Sequence, residues 1–165
     1  MSSRPLVPRV RTSRRRPRHL EDAESVYLMQ WAGRLRLDVL NRADVESGST
    51  LSDYLFHIPN GGRRGALEAA RLQSQGVKAG VSDYFLPLPV RSGVKRADGS
   101  IPVTGYAGLW VELKATGGRV SREQSNWLLR MHRAGYCAVL AFGWSEAARA
   151  VGDYLGLPSS CFPSK

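Results

Sequence analysis

Between residues 20 and 40, in LEDAESVYLMQWAGRLRLDVL, the apolar residues Leu28, Trp31 and Leu35 recur at three- and four-residue spacing. That period predicts a helix with one face on a core. Four residues back from Leu28 stands Glu24, an acid on the same apolar face. The polar stretch NRADVESGST that follows has the composition of turns. YLFHIPNGG reads as a short strand running into a glycine loop. RRGALEAARLQSQG combines strong helix formers with Gly76 as a stop.

In the second half of the chain strands and helices alternate. VSDYFLPLPV predicts a strand with Asp83 near its start, closed by Pro87 and Pro89, and residues 91 to 105 form an excursion with a turn at Asp98-Gly99. YAGLWVELKA is the next strand. Its alternation puts Trp110, Glu112 and Lys114 on one face and Leu109, Val111 and Leu113 on the other, so an acid and a lysine project side by side from an apolar strand. Ser121 and Gln124 make a capping-box pattern that opens a helix carrying Trp127, Leu128 and Met131 and ending at Gly135. YCAVLAFG, uninterrupted by charge, predicts a strand covered on both faces. Ser145 is placed to cap a last helix, EAARAVGDYL, which Gly156 ends. Strands interleaved with helices define an α/β domain around a mixed sheet.

Charge divides the chain further. Its 165 residues, 42% of them hydrophobic, suffice for one domain with a single core. Lys and Arg outnumber Asp and Glu by 24 to 14, and seven arginines (Arg4, Arg9, Arg11, Arg14, Arg15, Arg16 and Arg18) precede the first acid, Glu21. The expected organisation is a basic arm over residues 1–19, a folded domain over 20–157 and a tail over 158–165. An arginine arm suits a polyanion, because each neutralised phosphate releases counterions regardless of sequence; a solubilising tail is the simpler account. Pro5, Pro8 and Pro17 oppose the amphipathic helix of a transit peptide. No apolar run approaches the roughly 20 residues of a membrane span. With only Cys137 and Cys161, and His19, His57 and His132 scattered, neither a disulfide scaffold nor a thiolate zinc site is indicated. A soluble protein of a reducing cytoplasm is expected.

The chemistry centres on the charged strand. A buried acid is costly unless it is paired or holds a metal. Asp83, Glu112 and Glu24 can converge into an all-oxygen site of the kind Mg²⁺ accepts, completed by waters and a substrate phosphate. Lys114 could then hold a water or offset charge developing on phosphoryl oxygens. Glu-x-Lys on one strand face is more commonly a solvent-facing ion pair, and spacing alone does not choose between the two. HIPNGGRRG brings His57, Asn60, Arg63 and Arg64 together in a form suited to phosphate contact, or to an ordinary turn before a helix.

HIPNGG, GVSDYFLP, GYAGLWVELKATGGRVSREQSNWL and RAGYCAVLAFGWSEA follow one another in the order found in the VRR-NUC family, the virus-type replication and repair nucleases of the PD-(D/E)xK superfamily, and residues 20 to 156 resemble it. The resemblance implies a restriction-endonuclease-like fold, with a central mixed sheet flanked by helices, and Mg²⁺- or Mn²⁺-dependent cleavage of DNA. By motif position Asp83 and Glu112 resemble the metal-binding acids and Lys114 the catalytic lysine, with Leu113 offering its backbone carbonyl. Glu24 is similar in position to the acid of the family's first helix, with Glu21, one turn earlier, as the alternative match. Gln124 resembles the glutamine facing the site. Ser82 stands where a proline is usual. Stand-alone viral members, which this chain's length resembles, are associated with branched DNA such as four-way junctions and with homodimers, which would place the protein in a host cytoplasm. A catalytically silent DNA-binding module or an RNA-processing nuclease on the same scaffold are the alternatives.

Overall fold

The computed structural model describes residues 19–59 and 65–163. The expected basic arm, with Arg14, Arg15 and Arg16, and the segment with Asn60, Arg63 and Arg64 lie outside the described residues. The elements run α1 (His19–Arg34), β1 (Phe56–His57), α2 (Ala66–Ser74), β2 (Tyr84–Leu86), β3 (Leu109–Lys114), α3 (Arg122–Arg133), β4 (Cys137–Phe142) and α4 (Trp144–Leu155). Short 3₁₀ turns occupy Leu37–Leu40, Leu51–Asp53 and Ser159–Cys161. The strands form one sheet in the order β1-β2-β3-β4. The first two pairings are antiparallel and the last is parallel, so the sheet is mixed.

The main core lies on the sheet face covered by α1 and α4, where Leu28, Ala32, Leu51, Leu55, Leu109, Val111, Ala147 and Val151 are fully buried. The opposite face of β3 meets α3 through aromatic packing: the Trp110 ring lies 5.3 Å from that of Trp127, nearly perpendicular, and 4.4 Å from Phe85. The alternation of β3 is therefore realised, with the Leu109 series on the core and the Trp110 series beneath α3.

Three expectations need correction. The first helix ends at Arg34 instead of running to Leu40; Leu35, Leu37 and Leu40 are all buried. Burial of Leu35 and Leu37, two residues apart, does not fit one helical face, and the chain instead pairs Arg36 with Thr50 in an isolated bridge. α3 and α4 do pack on β4, but β4 is an edge strand among the described residues and Cys137 to Leu140 are half-buried. α4 begins at Trp144, with Gly143 at φ 89° as its N-cap, so Ser145 lies inside the helix and does not cap it. Its C-terminal stop is as expected, Gly156 taking the left-handed conformation at φ 69°.

Candidate active site

β3 carries the charged pair inward. Glu112 is fully buried and Lys114 is 6% exposed, and the Lys114 Nζ lies 2.7 Å from Glu112 Oε1. The solvent-facing ion pair is thereby ruled out. α3 completes the arrangement from above. Ser121 accepts from the Gln124 backbone N–H while the Gln124 side-chain oxygen accepts from the Ser121 N–H, a capping box that fixes the first turn. The remaining Gln124 amide, Nε2, donates to Glu112 Oε1. The cap and the site-facing role are one feature of the same side chain. Both donors fall on Oε1, and Glu112 Oε2, buried, has no hydrogen-bond partner.

Asp83 enters from the end of β2. In the antiparallel register Tyr84 faces Val111, and beyond that pair the backbone ladder stops. The Asp83 main-chain carbonyl accepts the Ile58 N–H on the β1 side (2.7 Å), while its carboxylate Oδ2 accepts the Leu113 N–H (2.9 Å) in place of a ladder partner. In an antiparallel strand the N–H and C=O of one residue point to the same side, so the Leu113 carbonyl faces this same opening. The Lys114 ammonium donates to that carbonyl at 3.2 Å and lies 3.9 Å from Asp83 Oδ2. The loop before Asp83 presses on the start of α3: a Cβ on Gly80, whose φ is +78°, would lie 2.6 Å from the Glu123 carbonyl oxygen. Sequence reasoning did not single out Gly80, and its only signal is a glycine three residues ahead of the acid.

α1 supplies a different acid from the one expected first. Glu24 turns away from the cleft, and its Oε2 accepts the Trp144 N–H at 2.7 Å, capping α4. Glu21, with Ser25 and Leu28, forms the stripe that runs down toward β3, and Glu21 Oε1 stands 3.9 Å from Lys114 Nζ. Three residues fall short of a full helical turn, and that offset sends Glu24 to α4. The placement of Glu24 in the metal site is therefore not supported by the geometry, and Glu21 is the acid of α1 that pairs with Lys114 there.

These groups line a cleft of about 570 Å³ whose walls, among the described residues, carry Glu21, Asp22, Asp83 and Glu123 against the lysine Lys114. An acid-lined cleft in a chain of net charge +10 is a local inversion of sign that attracts cations. His57 stands at the rim, exposed, its ring 5.1 Å from that of Tyr84. Burial, and then the neighbouring Asp83 charge, push the Glu112 carboxyl up from 4.5 to about 7, against the downward pull of Lys114. For Lys114 burial works against the charge, but its bond to Glu112 and the charges of Glu112, Asp83 and Glu21 outweigh it, so its pKa is raised and it stays an ammonium.

The donor set suits a hard divalent cation. The buried, unpartnered Glu112 Oε2, the partly exposed Asp83 carboxylate and the Leu113 carbonyl are all oxygens. Among the described residues no three His, Cys, Asp or Glu side chains gather into a metal site on their own, so the carbonyl and non-protein oxygens would have to complete the coordination, as Mg²⁺ commonly requires.

A mixed sheet flanked by helices, with an acid at the end of one strand and Glu-x-Lys inside the next, is the PD-(D/E)xK-like architecture. No protein-family model matches the chain, and no curated protein matches it in sequence. A solved structure described as a "VRR_NUC domain protein" superposes with a TM-score of 0.61 at 27% identity, covering 84% of this chain and 89% of that one. The chain carries a VRR-NUC-like domain, a domain of a nuclease family. Among the described residues no helix is long and apolar enough to cross a membrane.

Proposed function

We propose that this protein is a divalent-metal-dependent deoxyribonuclease that hydrolyses DNA phosphodiester bonds through Asp83, Glu112 and Lys114. The observation that carries this reading is the buried Glu112 carboxylate, held through one oxygen by Lys114 and Gln124 while the other is left without a partner beside Asp83. An unpaired buried carboxylate oxygen costs stability unless something else binds it. Asp83, Glu112 and the Leu113 carbonyl would hold Mg²⁺ or Mn²⁺, which when bound polarises a phosphoryl oxygen and lowers the pKa of water.

The chain's own groups do the rest. Gln124 and Lys114 fix the Glu112 rotamer from one side, so that Oε2 points where a ligand is needed. The Lys114 ammonium, kept protonated by three surrounding acids, is placed to position the attacking water and to offset negative charge gathering on the phosphate. Glu21, 3.9 Å from that ammonium, orients it from the solvent side. His57 at the rim is positioned for contact with the flanking strand. The arginine arm adds sequence-independent affinity for phosphate. The substrate we favour is branched duplex, such as a four-way junction, cut by a homodimer whose two sites would address two strands.

The test is cleavage of labelled four-way junction, flap, linear duplex and RNA in Mg²⁺ or Mn²⁺, by the wild type beside Glu112→Ala and Lys114→Ala. Metal-dependent cutting of branched DNA by the wild type alone is expected. If all three proteins bind DNA and leave every substrate intact, the domain is a binding module; cutting confined to RNA would reassign the substrate.

A further inference from the structure

The acid-lined cleft does not end at its acids. Past Ser25 and His57, which it shares, it opens onto a shallow depression of about 470 Å³ lined by Ser25, Val26, Met29, Gln30, His57 and Tyr84. None of these carries a formal charge with neutral His57, in contrast to the four acids and one lysine next door. The depression is built from one flank of α1 and the edge strand β1. Ser25 with Met29, and Val26 with Gln30, are i, i+4 pairs, so two adjacent rows of the helix form its long side. His57 closes it, set edge-on against the Tyr84 ring at 61°. Val26 is 54% exposed, an apolar side chain facing water at the mouth of a charged cleft.

We infer that this shelf receives the base of an unpaired nucleotide adjacent to the scissile phosphate. The inference rests on the proposed function, which puts a phosphodiester at Lys114. A phosphate so placed carries a sugar and, through that sugar, a base, and the shelf is the surface continuous with the cleft. Among the described residues its lining holds no cation, in contrast to Lys114 in the cleft where the phosphate is proposed to sit. It offers carbon surface and an imidazole edge, with Ser25 and Gln30 at the margin to meet the polar edge of a base, a lining suited to a flat, largely apolar ring. A base inside an intact duplex is stacked and paired and cannot reach it. A base at a branch point, bulge, gap or single-stranded end is free to do so, and unstacking costs least there. The shelf would therefore select for an interruption of the duplex next to the cut.

The test compares two DNA probes in Ca²⁺: a duplex with one unpaired nucleotide, and the same duplex in which that nucleotide is abasic. Binding is read by fluorescence anisotropy. Stacking of one base is worth on the order of 1–3 kcal/mol, or about five- to 150-fold in affinity. The wild type is expected to prefer the intact base at least fivefold, and Val26→Ser to reduce that preference while leaving affinity for the abasic probe unchanged. Equal wild-type affinity for both probes overturns the inference, and needs no variant to be folded. An equal loss on both probes in Val26→Ser overturns it too, as does a change in that variant's oligomeric state, which would make the shelf a contact between copies. Cleavage in Mg²⁺ distinguishes the two readings: cutting without base discrimination removes the shelf alone, and discrimination without cutting removes the nuclease alone.

Discussion

The fully buried Glu112 makes the metal-free protein pH-sensitive in a defined window. Its carboxyl is raised from 4.5 to about 7, chiefly by burial and then by Asp83. Between these values the folded chain keeps a proton that the unfolded chain has released, so the contribution of Glu112 to stability is greatest below pH 4.5, falls as pH rises, and levels off above about 7. At 1.36 kcal/mol per pH unit the loss is on the order of 3 kcal/mol, a large share of the stability of a small domain. The raised Lys114 contributes nothing in this window, because it stays charged past its ordinary 10.5. The lowered acids, Asp38, Asp44, Asp53, Asp98 and Glu123, have their stabilising effect in full once pH exceeds their unfolded values, at the bottom of the window. The assay is urea unfolding followed by circular dichroism, in EDTA, from pH 4.5 to 8, for the wild type and Glu112→Gln. The wild type should lose stability across the range, and the glutamine variant should show a much flatter profile. Parallel profiles would refute the reasoning, since the slope would then belong to other groups.

Other outcomes follow from the same geometry. Mg²⁺ or Mn²⁺ added at pH 8 should raise the wild-type midpoint, by about 2.7 kcal/mol at a hundredfold excess over Kd, and leave Glu112→Gln unmoved in a thermal melt. Gly80→Ala should cost more stability than Gly76→Ala: both glycines have positive φ, at 78° and 92°, but only Gly80 abuts the α3 backbone. Equal losses in denaturant titrations would show that the close approach is relieved freely. Ser82→Ala removes a buried hydroxyl without a hydrogen-bond partner and should leave the melting temperature unchanged or raise it by a few degrees, with up to about 1 kcal/mol gained; a clear drop would reveal a bond to that hydroxyl. Glu24→Ala should cost about 1 kcal/mol as a lost helix cap with cleavage largely retained, and Glu21→Ala the reverse, measured as melts and initial cleavage rates.

What could be read from the chain and what could not divide along physical lines. β3 was legible because its alternation is strict, and the side of each residue follows from the pleat alone. Ser121 and Gln124 were legible because a cap is a local contact three residues long. The choice between Glu21 and Glu24 was not, since both lie on α1 and the decision is made by α4, whose N-terminus needs an acceptor for Trp144 N–H. The same long-range contact explains why Ser145 does not cap α4: an acid 120 residues away takes that role. The apolar run of β4 reports the helices on its faces, whereas its place at the sheet edge among the described residues is a matter of strand order.

Lys114 follows Glu112 by two residues on the same strand face, and Gln124 lies only ten residues beyond Lys114. This closeness along the chain has a consequence for the order of events as the protein folds. The carboxylate cannot leave water without its ammonium leaving beside it, so the costly burial and the group that offsets it arrive in a single step. Asp83 and Glu21 come from distant segments that must dock separately, and they bring further negative charge to a pair already joined. The β3–α3 segment thus carries the ammonium and the acid it offsets together, and the excess negative charge that draws cations to the cleft comes from the separate segments that bring Asp83 and Glu21.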